Sequence, residues 1–464
     1  MDRALSCSDT IAALSTPPGH AGIGIIRISG PSALEIARKI FRPHRPDSRL
    51  ASHRLHLGHL VDPCTGDRVD EVLLTYMKAP RSYTREDVVE INSHSGYTLL
   101  DRILGVVLDA GARQARPGEF TYRAFLNGRI DLTQAEAVMD LIKARSDRGL
   151  ELAARQMQGA LKHRVEELRE SALEILAHVE VAIDYPDEDC GVTSGPRGAA
   201  WLRRALVEPL ERICSAHTQR RVWVEGVSTA VVGRVNAGKS SLFNRLLEHE
   251  RAIVTEVPGT TRDVIEMQLD IEGLPLRLMD TAGYRSPQDQ VESLGISLSD
   301  QALAQADLAL LVIDSTSPLS ENDKALLGKA ANRLVVVALN KIDLPGRLSL
   351  EDAKEALGAA PTVPVSALTG EGIPSLRRTI RETVLASGEP VADWGPAPNL
   401  RQHRALESAC RHFRVAAEHM EKDAPLEITA VDLNSGLEAL GEITGETAGD
   451  DVLDKIFSTF CLGK

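Results

Sequence analysis

The residues best placed to do chemistry stand in one run, GRVNAGKSS, Gly233 to Ser241, in which glycine is followed, after four intervening residues, by glycine, lysine and a hydroxyl residue. Backbone N–H groups of such a loop can wrap a phosphate chain, and the N-terminus of a following helix adds unpaired donors and a partial positive charge. Asn236, Ala237, Gly238, Lys239, Ser240 and Ser241 are therefore the candidate phosphate contacts. Lys239 suits the β- and γ-phosphates and the Ser240 hydroxyl suits Mg2+. This chemistry needs a strand before the loop and a helix after it. Val227 to Val232 reads as the strand and Ser241 to Leu247 as the helix.

Four further polar patches follow in order: Thr260-Thr261, Asp280-Thr281-Ala282-Gly283, Asn340-Lys341-Ile342-Asp343 and Ser366-Ala367-Leu368. The second and third each close an apolar, strand-like run, which puts their polar groups at the carboxyl edge of a sheet, where ligands bind. Asp307 to Asp314 and Leu334 to Leu339 are continuous apolar runs, as central parallel strands buried on both faces require. Val264 to Ile271 and Leu274 to Met279 flank Glu272-Gly273, a hairpin turn. Residues 223–384 thus read as a doubly wound α/β domain.

These patches resemble the translation-factor-related class of GTPases, and the resemblance implies roles. Thr261 matches the switch threonine on Mg2+, Asp280 the acid behind the metal site and Gly283 the γ-phosphate sensor, with Thr281 and Ala282 between them. Asn340, Lys341 and Asp343 match the guanine reader, backed by Ser366, Ala367 and Leu368. An Asp343 carboxylate can accept both N1–H and the amino group of guanine, whereas adenine leaves that acceptor unpaired. Sites of this kind reject analogues lacking the group by roughly 10⁴-fold or more, so GTP is preferred to ATP. Small signalling GTPases place a water-orienting glutamine where this chain has Tyr284. Asn236 is a polar group suited instead to a monovalent cation standing where an arginine finger would act.

Composition sets the frame. At 464 residues the chain is too long for one core, and about 150 residues per domain gives a prior of about three domains. Hydrophobic content of 43% and charged content of 26% are those of a globular protein. No apolar run approaches the roughly 18 residues of a membrane span, and the N-terminus has no basic-then-apolar leader, so a cytoplasmic protein without a membrane partner is expected. The six cysteines show no short paired spacing, which argues against a zinc cage or a disulfide framework. The net charge of −13 argues against a simple nucleic-acid binder, although residues 1–130 hold 17 Lys+Arg against 14 Asp+Glu.

Along the chain, Ile23 to Ile28, Val72 to Met77 and Val88 to Asn92 read as strands. Ala33, Ile36, Ala37 and Ile40 mark one face of a helix, and Leu99 to Ala110 reads as another. This mixed α/β domain ends near residue 128. Thr133 and Glu136 then set a capping box opening a helix. Apolar residues recur at helical spacing to about Ile183, with a weak point at Gly159. A further helix reads from Ala199 to Arg220, and residues 400–422 and 431–440 are helical again. The expected domains are therefore 1–128, a helical domain from 129–222 and 385–464, and the inserted domain 223–384.

The whole chain resembles the MnmE/TrmE tRNA-modification GTPases. The resemblance is carried by DTIAALSTPPG, GIIRISGP, RPGEFTYRAFLNGRIDLTQAEAVMDLI, AIDYPDED, GRVNAGKSSLFNRL, IVTEVPGTTRD and EITGETAGDDVLDKIFSTFCLGK. It implies an N-terminal α/β folate-binding and dimerisation domain, a helical domain built from two segments and an inserted Ras-like P-loop GTPase domain. It further implies a cytoplasmic homodimer working with the flavoprotein MnmG, which holds FAD. Together they would place a carboxymethylaminomethyl or aminomethyl group on C5 of the wobble uridine, position 34, of certain tRNAs. The carbon would come from a tetrahydrofolate derivative, 5,10-methylene or 5-formyl, alongside K+-stimulated GTP hydrolysis.

Carried onto matching positions, Arg27, Glu90, Arg129 and Lys464 are the folate contacts. A glutamate tail pairs with cations and pterin N–H groups suit a carboxylate. Asn236, Thr255, Val257 and Thr260 match the K+ ligands, within a run Thr255, Glu256, Val257, Pro258, Gly259, Thr260 and Thr261 that belongs to the nucleotide site. Cys461 matches the family's C-terminal cysteine, a candidate for a chemical role, and His94 stands beside the folate segment. One departure stands out. The family follows its switch glycine with leucine, arginine and a water-orienting glutamate, and this chain has Tyr284-Arg285-Ser286, leaving Asp289 as the nearest acid. The competing reading is a GTP-driven switch in ribosome assembly or RNA binding, which has no need of a folate site.

Overall fold

The computed structural model describes residues 9–45, 49–144, 146–185, 195–248, 267–279, 302–330, 333–386 and 396–463. The chain divides into two compact units, one of residues 1–139, 162–199 and 411–464, the other of residues 140–161 and 200–410.

The first unit carries a seven-stranded sheet. Its strands are β1 (Ile11–Leu14), β2 (Gly24–Ser29), β3 (Phe41–Pro43), β4 (Leu55–Val61), β5 (Arg68–Met77), β6 (Val88–Ser93) and β7 (Arg113–Gln114), in the order β3-β4-β5-β6-β2-β1-β7. Every pairing is antiparallel except β1 with β7. Alternation along the strands sends Ile26, Ile28, Leu60, Leu74 and Ile91 to one face. There they meet Ile36 and Ile40 of α1 (Ala33–Ile40) and Ile103 and Val107 of α2 (Tyr97–Asp109) in one core. The opposite face carries Arg27 and Glu90, which are register partners, and leaves Leu55, Leu57 and Leu73 exposed.

After α3 (Glu119–Leu126), α4 (Leu132–Lys143) begins one residue before Thr133, and its cap is not the Thr133/Glu136 pair. The Asp131 carboxylate accepts from the Gln134 amide, and the Gln134 side chain accepts from the Asp131 amide, a capping box two residues upstream of the expected one. The long helical text then breaks twice. Ser146 caps α5 (Asp147–Met157), a helix of the second unit, and Gly159, at a φ of 89°, separates it from α6 (Ala160–Asp184), most of which returns to the first unit. Val165, Leu168, Ala172, Ile175 and Val179 of α6 are buried at helical spacing. The remaining helices of this unit include Leu426–Thr444 and Asp450–Ser458. Gly436 lies flat against the Phe413 ring, where a Cβ would collide.

α7 (Gly195–Leu202), which begins in the first unit, and α8 (Glu208–Arg220), in the second, continue through two π-helical turns, Arg203–Val207 and Arg221–Glu225, to Gly226, so this helical run is longer at both ends than its apolar pattern indicates. A six-stranded sheet follows. Its strands are β8 (Val227–Val232), β9 (Met267–Ile271), β10 (Leu274–Met279), β11 (Leu308–Asp314), β12 (Leu334–Asn340) and β13 (Thr362–Pro364), in the order β13-β12-β11-β8-β10-β9. All pairs are parallel except the β9–β10 hairpin, whose turn residues Glu272 and Gly273 both have positive φ. β8 is buried along its whole length, which fixes where its C-terminal end delivers the loop Gly233 to Gly238.

Candidate functional site

The loop after β8 is shaped by residues that accept unusual backbone angles. Gly233 has a φ of 151°, and a Cβ there would strike the Val312 carbonyl of β11. Gly238, at 90°, passes under the Asn340 amide, where a Cβ would likewise collide. Asn236 sits at 62°, a left-handed conformation that asparagine tolerates better than most residues. Its side chain is exposed and has no partner among the described residues. Lys239 opens α9 (Lys239–Glu248), and its ammonium donates to the carbonyls of Gly233 at 2.8 Å and Arg234 at 2.7 Å. Burial pushes its pKa down. Ser240 and Ser241 are exposed on the first turn. The glycine-walled cradle and the helix N-terminus fit a polyphosphate.

Two more strand ends converge on this loop. Asn340, 1% exposed at the end of β12, donates to the Ala237 carbonyl at 2.9 Å and accepts from the Ala367 amide at 3.0 Å, tying together three loops that follow three different strands. Lys341, at a φ of 70°, points its ammonium to Asp314 at the end of β11, 2.7 Å away. Burial works against ionisation of Asp314, but the Lys341 hydrogen bond and those from Thr316 outweigh it and hold the carboxyl below its usual range. Ser366 is buried and accepts from the Thr369 amide, while Leu368 is exposed. Arg245 of α9 donates to the carbonyls of Ala367 and Leu368. Asp343 is exposed, and its carboxylate has no partner among the described residues. Thr255, Glu256, Val257, Pro258, Gly259, Thr260, Thr261, Asp280, Thr281, Ala282, Gly283, Asp289 and Lys464 lie outside the described residues.

A second polar cluster forms in the other unit. Arg27 of β2 donates to Glu90 of β6 through Nε at 2.9 Å, with Nη2 at 2.8 Å, and through Nη1 to the Gly463 carbonyl at 3.2 Å. Its guanidinium lies 5.6 Å from the rings of both Tyr83 and Phe120. Arg129 covers Tyr83 at 5.1 Å and donates to the Ser82 carbonyl. Tyr83 bonds Thr121 at 2.9 Å, and burial raises its phenol pKa. Arg27 and Arg129 therefore both lie over the Tyr83 ring, and Arg27 in turn holds Glu90 and the Gly463 carbonyl near the end of the described chain. Cys461 is exposed nearby in sequence, its carbonyl accepting from the Gly118 amide. Two cations, a carboxylate and aromatic faces suit a planar, carboxylate-tailed ligand. His94 stands apart from this set, hydrogen-bonded at 2.9 Å to Asp70, which raises its pKa.

Sequence reasoning did not single out Tyr83, Phe120, Asp314 or Arg245. Tyr83 and Phe120 carry no local pattern, since only the folded sheet brings them under Arg27. Nor did it find the network below this cluster. There Arg123, 2% exposed, meets Asp9, Glu86 and Glu119, and Arg113 bonds Asp9 and Glu119.

Comparisons with known proteins cover nearly the whole chain. A model of the GTP-binding protein TrmE N-terminus matches residues 10–129, and a model of the MnmE helical domain matches residues 132–461. The tRNA modification GTPase MnmE of Geobacillus thermodenitrificans is 45% identical over 460 residues, 98% of this chain and 99% of that protein. That of Moorella thermoacetica is 46% identical over 462 residues, again 98% of this chain and 99% of that one.

The chain belongs to the MnmE/TrmE family of tRNA modification GTPases.

Over shorter stretches it is similar to the G domain of the T. maritima FeoB iron transporter, with 30% identity and a TM-score of 0.27 over 34% of this chain and 98% of that one. It is also similar to Aquifex aeolicus Era bound to GDP and AlF4−, with 30% identity and a TM-score of 0.27 over 40% of this chain and 66% of that one. As a member of this family, the chain hydrolyses GTP in tRNA modification. Among the described residues no helix is long and apolar enough to cross a membrane.

Proposed function

We propose that the protein is the GTP-hydrolysing half of an enzyme that adds a carboxymethylaminomethyl or aminomethyl group to C5 of the wobble uridine of certain tRNAs. The carbon comes from a tetrahydrofolate derivative, and the flavoprotein MnmG supplies FAD. The observation that carries this reading is the placement of Arg27 and Arg129 over Tyr83, with Glu90 and the Gly463 carbonyl held by Arg27. A GTP-driven switch would have no use for such a cluster. Arg129 and Lys464 pair with the folate tail while Glu90, oriented by Arg27, receives pterin N–H groups. The folate, when bound, supplies the one-carbon unit. Exposed Leu55, Leu57 and Leu73 on the same sheet face support a homodimer formed through residues 1–128.

In residues 223–384, which we take as the GTPase domain, Lys239 exchanges the loop carbonyls for phosphate oxygens. Ser240 and Thr261 hold Mg2+, with Asp280 behind them and Gly283 at the γ-phosphate. The exposed Asn236 amide, with Thr255, Val257 and Thr260, holds K+, which supports hydrolysis in the absence of a glutamine. Asp289 takes the part of the family glutamate that Ser286 cannot play, and Cys461 takes part in the modification chemistry.

Mass analysis of wobble uridines in cells lacking the protein tests the main reading: C5 modification should disappear, and normal modification would overturn it. For the cation, Asn236→Ala should hydrolyse GTP at the same rate in K+ and Na+ buffers. A variant that still distinguishes them removes Asn236 from the K+ site.

A further inference from the structure

At the free edge of the antiparallel sheet, three residues with metal-binding side chains meet on one face. His59 of β4 and Glu71 of β5 are direct register partners. On the edge strand, β3, Arg42 is the partner of His59, and two residues on, the His44 amide donates to the Leu57 carbonyl at 3.1 Å. Alternation then puts Arg42, His44, His59 and Glu71 on the same side. One donor atom from each of His44, His59 and Glu71 lies within 4.8 Å of the other two. His44 Nε2 is 2.9 Å from Glu71 Oε1, and the two imidazole rings stand 4.7 Å apart, tilted by 41°.

We propose that His44, His59 and Glu71 form a binding site for a divalent transition-metal ion of the zinc type. Bonds of about 2.0–2.1 Å in a tetrahedral zinc site separate the ligand atoms by about 3.3 Å, so the observed spacing needs only small side-chain movements to close on an ion. Two imidazoles and a carboxylate leave one tetrahedral position open to solvent or to a fourth ligand.

Two features distinguish this cluster from a chance gathering of surface residues. The ring nitrogens of the half-buried His59 have no hydrogen-bond partner among the described residues, so the donor pair to a metal is available without breaking an existing bond. The neighbouring cation is also engaged elsewhere. Arg42 turns its guanidinium to the carbonyls of Arg38 and Lys39 at the end of α1 and so does not neutralise Glu71. Two strands of one sheet and the residue that directly follows a third set the positions, so little backbone freedom is lost when the ion binds.

The test is zinc titration of the whole chelator-treated chain by calorimetry and equilibrium dialysis, comparing wild type with His59→Gln and with the more exposed His44→Gln. Wild type should bind one Zn2+ more, in the micromolar range, than either variant. Loss of a ligand should weaken that ion by more than about 100-fold, since even removal of an outer-shell partner costs roughly 10–100-fold. Far-UV circular dichroism of the metal-free variants should match wild type, and because His44 lies outside the regular strand its variant reports on the site even if His59→Gln folds poorly. Equal stoichiometry in wild type and His44→Gln, or occupancy only at millimolar Zn2+, overturns the proposal.

Discussion

In the parallel sheet, short contiguous runs that each follow a strand bring Ala237, Asn340 and Ala367 into contact. In the antiparallel sheet, Arg27, Tyr83, Glu90, Phe120 and Arg129 come from scattered elements, and Arg27 bonds Gly463 across 436 positions of sequence. The first arrangement works mainly through backbone groups, whose positions are set by where strands end. The second works through side chains on one face of a sheet, whose neighbours are set by register. A chain can therefore announce the first in local spelling and leave the second unspoken.

The largest effect is expected at Asp343, which is exposed and has no partner among the described residues, in the run we assign to guanine recognition. Asp343→Ala should reduce the preference for GTP over ATP from about 10⁴-fold to below about 10²-fold, read from competition binding. A preserved preference would mean that backbone groups alone read the base.

In the other unit, Arg123→Met removes the buried cation shared by Asp9, Glu86 and Glu119 and should lower the unfolding free energy by about 3–5 kcal/mol in urea titrations. Burial opposes ionisation of both Asp9 and Glu119, yet the hydrogen bonds from Arg113, with those from Arg123 to Asp9 and from the Arg116 amide to Glu119, outweigh it. Their folded pKa values lie below the ordinary 3.8 and 4.5, so the stabilisation is present above those values and is lost as pH falls through the lowered ones. The wild type should lose stability on acidification over that range, and Arg123→Met should lose less.

Lys239→Ala should slow GTP turnover by about 10²–10³-fold, the cost of removing one stabilising charge donor, while leaving binding of 5-formyl-tetrahydrofolate unchanged. Loss of both would show that the two sites are not separable. The smallest effect is at His94. Its NMR titration midpoint should lie above the ordinary 6.5 and fall back in Asp70→Asn. Its contribution to stability should be complete below 6.5 and disappear as pH rises through the raised value.

These contrasts explain what was legible beforehand. Val227 to Val232, Leu308 to Asp314 and Leu334 to Asn340 were readable because strands buried on both faces are continuously apolar. The phosphate loop was readable because Gly233 and Gly238 each meet a steric demand that only glycine satisfies. The cap of α4 was misplaced because Asp131 and Thr133 both have side-chain oxygens suited to capping, and the buried Thr133 hydroxyl is spent on Asp131 itself. Tyr83 escaped because a ring between two guanidinium groups has no period and no spacing. The π-helical turns escaped because a residue inserted into a helix shifts the apolar stripe without erasing it.

The Asn340 amide has a consequence for how a nucleotide is held. Because one side chain fastens the phosphate loop to the loop that carries Ser366 and Ala367, the order imposed by one half of a ligand is already available to the other. Guanosine and pyrophosphate added together should each bind more tightly than alone, and the surplus is a cooperativity that Asn340→Ala should erase. A single amide, shared between two loops, would then make one molecule out of two fragments.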